Sequence, residues 1–171
     1  MTILIDTARL QMRHFNLDDI EAVHQFSTCI ETTRWTGDAG VVQTKADARQ
    51  VIERVWMNEY QRYGYARYAL IHKQDNKIIG FCGIKYEPSL QSTDIGYRLL
   101  PQYWNQGFAT EACEALIDYV KAQFQLDKIV AEVVAENYAS INVLGKLGFK
   151  YLDSYQRNGF HLNYYELSLN D

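Results

Sequence analysis

The stretch Ser92–Thr110, STDIGYRLLPQYWNQGFAT, decides the fold of this 171-residue chain. Its first half alternates the apolar residues Ile95, Tyr97 and Leu99 with polar or small neighbours, a pattern that predicts a strand. Pro101 ends this strand, because proline has no N–H group to donate to a sheet.

A tight turn with Gly107 at its apex comes next, and a helix begins directly after it. The first four N–H groups of a helix have no partner within the helix, and the helix dipole adds partial positive charge at the same end. Such an end binds phosphate without a lysine, so we expect this turn to bind a phosphate group. The apolar and small residues that predict the helix recur about every 3.6 positions: Ala109, Ala112, Cys113, Leu116, Ile117, Val120 and Phe124.

Two other phosphate-binding motifs are missing from the sequence. There is no G-x-x-x-x-G-K-[ST] and no G-x-G-x-x-G, so neither a P-loop nor a dinucleotide fingerprint is present. The sequence therefore predicts a cradle with a single glycine, suited to the pyrophosphate of a cofactor.

Two segments together resemble the GNAT superfamily of N-acetyltransferases. Residues 95–112 look like its cofactor-binding signature, and Asn137–Phe149 resembles its next motif in the expected order and spacing. The motifs look most like the Rim-type branch, which acetylates N-terminal amines of ribosomal proteins. The resemblance implies acetyl-CoA as co-substrate, no metal, and neighbouring central strands that splay apart to admit the cofactor.

The resemblance also implies which residues bind that cofactor. Main-chain N–H groups from about Gln106 to Thr110 would receive the pyrophosphate. The main chain of Leu99 and Leu100 would pair with the pantetheine arm as an added strand does. Trp104 stands where many family members carry glutamine or arginine, and we expect it to be an apolar anchor of the loop. Asn137 would contact pantetheine, cap its helix, or do both. The implied cofactor-binding residues are Leu99, Leu100, Gln106, Gly107, Phe108, Ala109, Thr110 and Asn137.

Acetyl transfer to an amine needs a group that removes a proton from the amine, since alkyl amines are protonated at neutral pH. Asp94 occupies the position where the family often has a glutamate suspected as base, although aspartate is one methylene shorter. A carboxylate that only forms a salt bridge is the alternative role. Glu132 and Glu136 are rival bases on or just past the neighbouring predicted strand.

The proton donor to the leaving sulfur is a separate question. Many members of the superfamily use a tyrosine on the helix after Asn137, but this chain has Leu144 there. The Rim-type relatives are thought to use a serine that corresponds to Ser140. Ser140 also suits the first turn of a helix, and Tyr138 is a nearby alternative.

The family resemblance places the amine-binding side at 31–40, at Tyr60–Tyr65 and at the final hairpin. Glu31 and Trp35 would hold a cationic amine through a carboxylate and a ring face, or the aromatic residues would belong to the core.

Composition excludes several other classes of protein. A formal net charge of −4 argues against a nucleic-acid partner. The cysteines Cys29, Cys82 and Cys113 are odd in number and far apart, which predicts reduced thiols. No metal-ligand spacing is visible, so we expect no metal site. No signal peptide or apolar run of ~20 residues is visible, so we expect a cytoplasmic protein without membrane contact. The sequence leaves monomer and homodimer both open.

The remaining pattern predicts one mixed α/β domain over residues 1–171, with a mostly antiparallel sheet and helices on both faces. Leu4–Phe15 is predicted as one opening strand, and 31–42 as a loop. Asn16 and Thr44 are predicted helix caps, Gly148 is the predicted left-handed residue after the helix that Asn137 opens, and Asn158-Gly159 predicts a hairpin. The first helix should bury the face formed by Ile20, Val23, Phe26 and Ile30.

Three functions remain open from the sequence. The first is an acetyl-CoA-dependent N-acetyltransferase acting on a protein or peptide N-terminal amine. The second is the same chemistry on a small amine, such as a polyamine, amino acid or aminoglycoside. The third is a CoA-binding sensor that has lost turnover.

Overall fold

The computed structural model describes residues 1–170, which contain one eight-stranded sheet. Its spatial order is β1-β2-β3-β4-β5-β6-β8-β7, and every neighbouring pair is antiparallel except β5 and β6. The prediction of a mixed, mostly antiparallel sheet is therefore confirmed. The strands are β1 (Ile5–Asp6), β2 (Leu10–Arg13), β3 (Arg67–His72), β4 (Lys77–Glu87), β5 (Ser92–Leu99), β6 (Lys128–Val134), β7 (Lys150–Arg157) and β8 (Phe160–Ser168).

Helices cover both faces of this sheet. One face packs against α5 and α6, and the other against α1 and the α3–α4 segment, in which a π-helical stretch over Val51–Trp56 joins the two α-helices. The α-helices are α1 (Ile20–Thr28), α2 (Ile30–Thr33), α3 (Lys45–Gln50), α4 (Met57–Tyr63), α5 (Phe108–Gln123) and α6 (Tyr138–Lys146).

The predicted caps and turns are confirmed where the signal is local. The side chain of Asn16 accepts a hydrogen bond from the backbone of the short 3₁₀ helix Leu17–Asp19, which leads into α1. Thr44 does the same for α3, and both residues form capping boxes. The Asn158-Gly159 pair has positive φ at both residues and joins β7 to β8. Gly148 follows α6 with φ +86°, as the left-handed residue after a helix should.

The prediction of a single strand over Leu4–Phe15 is wrong. The segment folds back on itself, with Ile5 opposite Met12 in an antiparallel pair. The Thr7 hydroxyl accepts a hydrogen bond from Leu10 N–H at 3.0 Å, and the Thr7 N–H donates to the Leu10 carbonyl at 2.9 Å. This side-chain turn reverses the chain, as serine and threonine can do without glycine.

The predicted apolar face of the first helix is wrong at its last residue, Ile30. The helix ends at Thr28 because Cys29 is extended (φ −70°, ψ 117°), so the helical periodicity stops before Ile30. The side chain of Ile30 is 81% exposed. The predicted loop over 31–42 likewise begins with helical residues, since α2 extends through Thr33.

Main-chain pairing between β5 and β6 occurs at one position only in residues 1–170, where Asp94 lies opposite Val130. By contrast, β5 pairs with β4 and β6 pairs with β8 along most of their lengths. Toward their carboxyl ends, at Leu99 and Val134, β5 and β6 are therefore unpaired with each other. The predicted splay of the central strands lies at this gap.

Candidate active site

The Gly107 turn exposes the start of α5 at the end of β5. Gly107 has φ +81°, a left-handed conformation that side-chain-bearing residues rarely adopt. The first helical hydrogen bond runs from Glu111 N–H to the Gly107 carbonyl at 3.0 Å, so the N–H groups of Phe108, Ala109 and Thr110 have no acceptor within the helix. Gln106 and Gly107 are exposed, so the main chain of this cradle is open to a ligand.

Side chains on both sides hold the cradle in place. Phe108 is 4% exposed and packs edge-on against the His72 ring at 4.9 Å. Trp104 is 43% exposed, and its indole N–H donates to the Leu99 carbonyl at 2.7 Å. Trp104 therefore anchors the loop through a directed hydrogen bond, in addition to whatever apolar contact its ring makes.

Arg9 is a residue at the cradle that the sequence analysis did not identify. Its Nη1 donates to the Gln106 carbonyl at 2.9 Å, and its Nε donates to Glu111 Oε2 at 2.6 Å. The guanidinium also lies 4.2 Å from the centre of the Phe108 ring. Arg9 thus ties the β1–β2 turn to the cradle and offsets the Glu111 carboxylate in the first turn of α5.

The main-chain N–H and carbonyl groups at the end of β5 point to two different sides of the strand. The Leu100 N–H donates to the Ile79 carbonyl at 2.8 Å, and the Leu100 carbonyl accepts from Tyr103 N–H at 2.9 Å. Because main-chain groups alternate along an antiparallel strand, those of Tyr97 and Leu99 point away from β4, into the gap. The structure therefore turns Leu99 toward the gap and uses both main-chain groups of Leu100 internally.

On the face of the sheet that packs against α5, Ser140 borders the gap. The Tyr97 hydroxyl lies 3.0 Å from Ser140 Oγ, which joins β5 to the first turn of α6. The Asn137 side chain accepts a hydrogen bond from Ser140 N–H at 3.3 Å and so caps α6. The alternative donor Tyr138 is 70% exposed, and Leu144 is buried in the core.

Asp94 lies on the opposite face of β5, since side chains alternate along a strand and it is three residues from Tyr97. Its Oδ1 is 3.0 Å from Nη2 of Arg67, and its side chain is 21% exposed. Burial raises the pKa of the Asp94 carboxyl above its ordinary value, and the Arg67 guanidinium opposes part of this rise. The structure therefore does not bring Asp94 and Ser140 together.

The rival base Glu132 is already engaged. Its Oε1 accepts a hydrogen bond from Arg157 at 2.7 Å, and its Oε2 accepts one from the Tyr155 hydroxyl. Both partners lie on β7, so Glu132 joins β6 to β7 across the intervening β8. Glu136 is an exposed residue in the turn before α6.

The predicted acceptor residues lie in the segment that follows α1. Glu31 is exposed and its Oε2 accepts a hydrogen bond from the Cys29 thiol at 3.2 Å. Trp35 is partly buried, with the Arg34 guanidinium 4.6 Å from its ring centre. A surface cleft nearby is lined by residues of this segment and by Phe160 of the β7–β8 hairpin. Glu31 and Trp35 do not line it.

A second ion pair, not anticipated from the sequence, holds the loop that follows α2. Nη2 of Arg98 lies 2.7 Å from Oδ1 of Asp38, and the Arg98 side chain is buried on the same face of β5 as Asp94. The buried guanidinium lowers the pKa of Asp38, against the rise that burial alone would cause. This pair fixes the loop to the face of the sheet that carries Asp94.

The comparisons with known proteins identify the family. The sequence profile described as "Acetyltransferase (GNAT) domain" matches residues 9–150, and the chain belongs to this family. It is 32% identical over 146 residues to the uncharacterized N-acetyltransferase p20 of Bacillus licheniformis, across 84% of this chain and 80% of that protein. It is 31% identical over 108 residues to the ribosomal-protein-serine acetyltransferase of Escherichia coli, across 63% of this chain and 59% of that protein.

A solved structure shares the fold. RimL, a ribosomal-protein alpha-N-acetyltransferase in complex with coenzyme A, superposes with a TM-score of 0.82 at 20% identity, over 98% of both chains. The resemblance to the GNAT superfamily is thereby confirmed, and the protein is an N-acetyltransferase. Within residues 1–170, none of the helices has the length and hydropathy of a transmembrane helix.

The role of Arg9 in binding CoA can be tested by substitution. Replacement Arg9→Gln should weaken CoA binding about tenfold, because the cradle loses a charge-assisted hydrogen bond and the Glu111 carboxylate is left facing an anionic ligand. Isothermal titration with CoA measures the change, and thermal unfolding checks that the variant is folded.

The matched control is Arg49→Gln, which removes the same charge from an exposed ion pair with Glu53 in the α3–α4 segment. Its affinity for CoA should equal that of the unmodified protein. Equal affinities for all three proteins would contradict the role given to Arg9.

Proposed function

We propose that this protein transfers the acetyl group of acetyl-CoA to a primary amine at the N-terminus of a protein or peptide. The carrying observation is the single Asp94–Val130 pairing between β5 and β6, which leaves a gap directly beside the open cradle at Gly107. Both features are main-chain features, and together they suit a long cofactor with a pyrophosphate at one end. The similarity to ribosomal-protein acetyltransferases supports the choice of acceptor.

In this proposal the cofactor lies along β5. Its pyrophosphate accepts hydrogen bonds from the main chain of Gln106, Gly107, Phe108, Ala109 and Thr110. Its pantetheine amides pair with the main chain of Tyr97 and with the N–H of Leu99, whose carbonyl already accepts the Trp104 indole N–H, as an added strand would. The thioester then lies in the gap, between the face that carries Asp94 and the face that carries Ser140.

The reaction is direct attack of a neutral amine on the thioester carbon. Asp94 accepts the proton that the attacking nitrogen loses, through a water molecule because its side chain is short and already paired with Arg67. The carbon–sulfur bond breaks with its electron pair on sulfur, and the Ser140 hydroxyl supplies the proton that completes the thiol. Glu31 and Trp35 contribute to the wall that faces the acceptor.

A turnover assay tests this proposal. The protein is incubated with acetyl-CoA and a panel of peptides with free N-termini, amino acids, polyamines and aminoglycosides, and free thiol is measured. Thiol release should be fastest with peptides, and Gly107→Val should abolish it because valine is strained at φ +81°.

Thiol release with small amines alone would replace the peptide acceptor by the second candidate class. CoA binding with no thiol release across the whole panel would overturn the proposed activity. Unchanged turnover by Gly107→Val would show that the Gly107 turn does not bind the cofactor's pyrophosphate.

A pH profile tests the role of Asp94. Only the ionised carboxylate accepts a proton, so kcat at saturating acceptor should fall as the pH drops through the pKa of Asp94, which burial raises above its ordinary value. The quantity to follow is kcat, because protonation of the acceptor amine lowers kcat/KM at acid pH whichever residue is the base. In Asp94→Asn this acid limb should disappear, and kcat at neutral pH should be lower than that of the unmodified protein. Glu132→Gln serves as the control and should keep the limb; loss of the limb only in Glu132→Gln would transfer the role to Glu132.

A further inference from the structure

One side-chain hydrogen bond joins β5 to α6 beside the gap between β5 and β6. Tyr97 lies three residues beyond the Asp94–Val130 pairing on β5, and Ser140 lies in the first turn of α6, the helix that follows β6. Their hydroxyl oxygens are 3.0 Å apart, within the normal range for an O–H···O bond. The bond therefore ties β5 to the helix that follows β6, at the level where the two strands separate.

The Tyr97 hydroxyl has no stronger alternative partner within residues 1–170. Its other contact is with the Ser140 carbonyl at 3.4 Å, which is long for such a bond. Burial raises the pKa of the Tyr97 phenol, and the neighbouring thiols of Cys82 and Cys113 add to the rise. The phenol is thus protonated throughout the neutral range and available as a donor to Ser140 Oγ.

This donor determines what the serine hydroxyl can do. A hydroxyl carries one hydrogen and two acceptor lone pairs. When Tyr97 donates to one lone pair of Ser140 Oγ, the single Ser140 hydrogen is left for a different acceptor. The main chain of Ser140 is fixed independently, because its N–H donates to Asn137 Oδ1.

We propose that Tyr97 is a positioning residue that sets Ser140 as the proton donor to the cofactor's sulfur, an inference that rests on the proposed acetyl transfer. When the carbon–sulfur bond breaks, its electron pair goes to sulfur and the Ser140 proton follows. The Tyr97 hydrogen bond stabilises the negative charge that develops on Ser140 Oγ, while Tyr97 keeps its own proton. Ser140 then regains a proton from water, and the proton removed from the amine leaves through Asp94.

The kinetic test is a double-mutant cycle with Tyr97→Phe and Ser140→Ala. Tyr97→Phe keeps the ring and removes only the hydroxyl, and it should lower kcat about tenfold with an unchanged KM for acetyl-CoA. In the Ser140→Ala background the same change should have no further effect, because Tyr97 acts only through Ser140. Tyr119→Phe is the matched control: Tyr119 packs against the same core and should give unmodified kinetics.

A second readout needs no acceptor. The ultraviolet absorbance of the thiolate gives the pKa of the thiol of bound CoA, as the difference between complex and free protein at each pH. Tyr97→Phe and Ser140→Ala should both raise this pKa relative to Tyr119→Phe, since each removes stabilisation of negative charge at the sulfur.

The outcomes separate the two proposals. Equal kcat and equal thiol pKa in Tyr97→Phe and Tyr119→Phe would overturn the role of Tyr97 and leave acetyl transfer intact. Additive losses in the double mutant would show that Tyr97 acts independently of Ser140 and would also overturn it. If the unmodified protein binds no CoA or releases no thiol with any amine, the proposed function fails, and this inference fails with it.

Discussion

The fold depends on strands that stop sharing hydrogen bonds where a continuous sheet would keep them. Within residues 1–170, β5 and β6 share main-chain pairing only at Asp94 and Val130, although each is fully paired with its other neighbour. Unpaired main-chain groups are costly when buried, so a gap of this kind is stable only if water or a ligand satisfies them. The helices that follow the two diverging strands are α5, which begins at Phe108 after β5, and α6, which begins at Tyr138 after β6.

The cradle beside this gap has to attract an anion without a lysine or arginine of its own. The chain carries a net charge of −4, and residues 101–110 contain neither lysine nor arginine. Attraction for an anion therefore has to come from main-chain dipoles and from Arg9, which reaches the cradle from the opposite end of the sequence. The one carboxylate in the first turn of α5, Glu111, is paired with that same arginine, so it does not oppose a phosphate group.

How much the sequence could predict follows the range of the interactions involved. Asn16, Gly107, Gly148 and the Asn158-Gly159 turn are defined by neighbours a few residues away, and each was predictable from local pattern. The hairpin of β1 and β2 was missed because its turn depends on a threonine side chain, a weaker signal than glycine. Arg9 and Tyr97 could not be identified from the sequence at all, since their partners lie 97 and 43 positions away. The roles assigned to Asp94 and Ser140 came from family resemblance, and the structure supplies their surroundings.

The most direct test of the central claim is a crystal structure of the protein soaked with acetyl-CoA. Pyrophosphate oxygens should lie within hydrogen-bond distance of the main-chain N–H groups between Gly107 and Thr110. Pantetheine should lie between β5 and β6, with the sulfur next to Ser140 Oγ. Cofactor bound in another cleft, or a gap that stays empty at saturating acetyl-CoA, would contradict it.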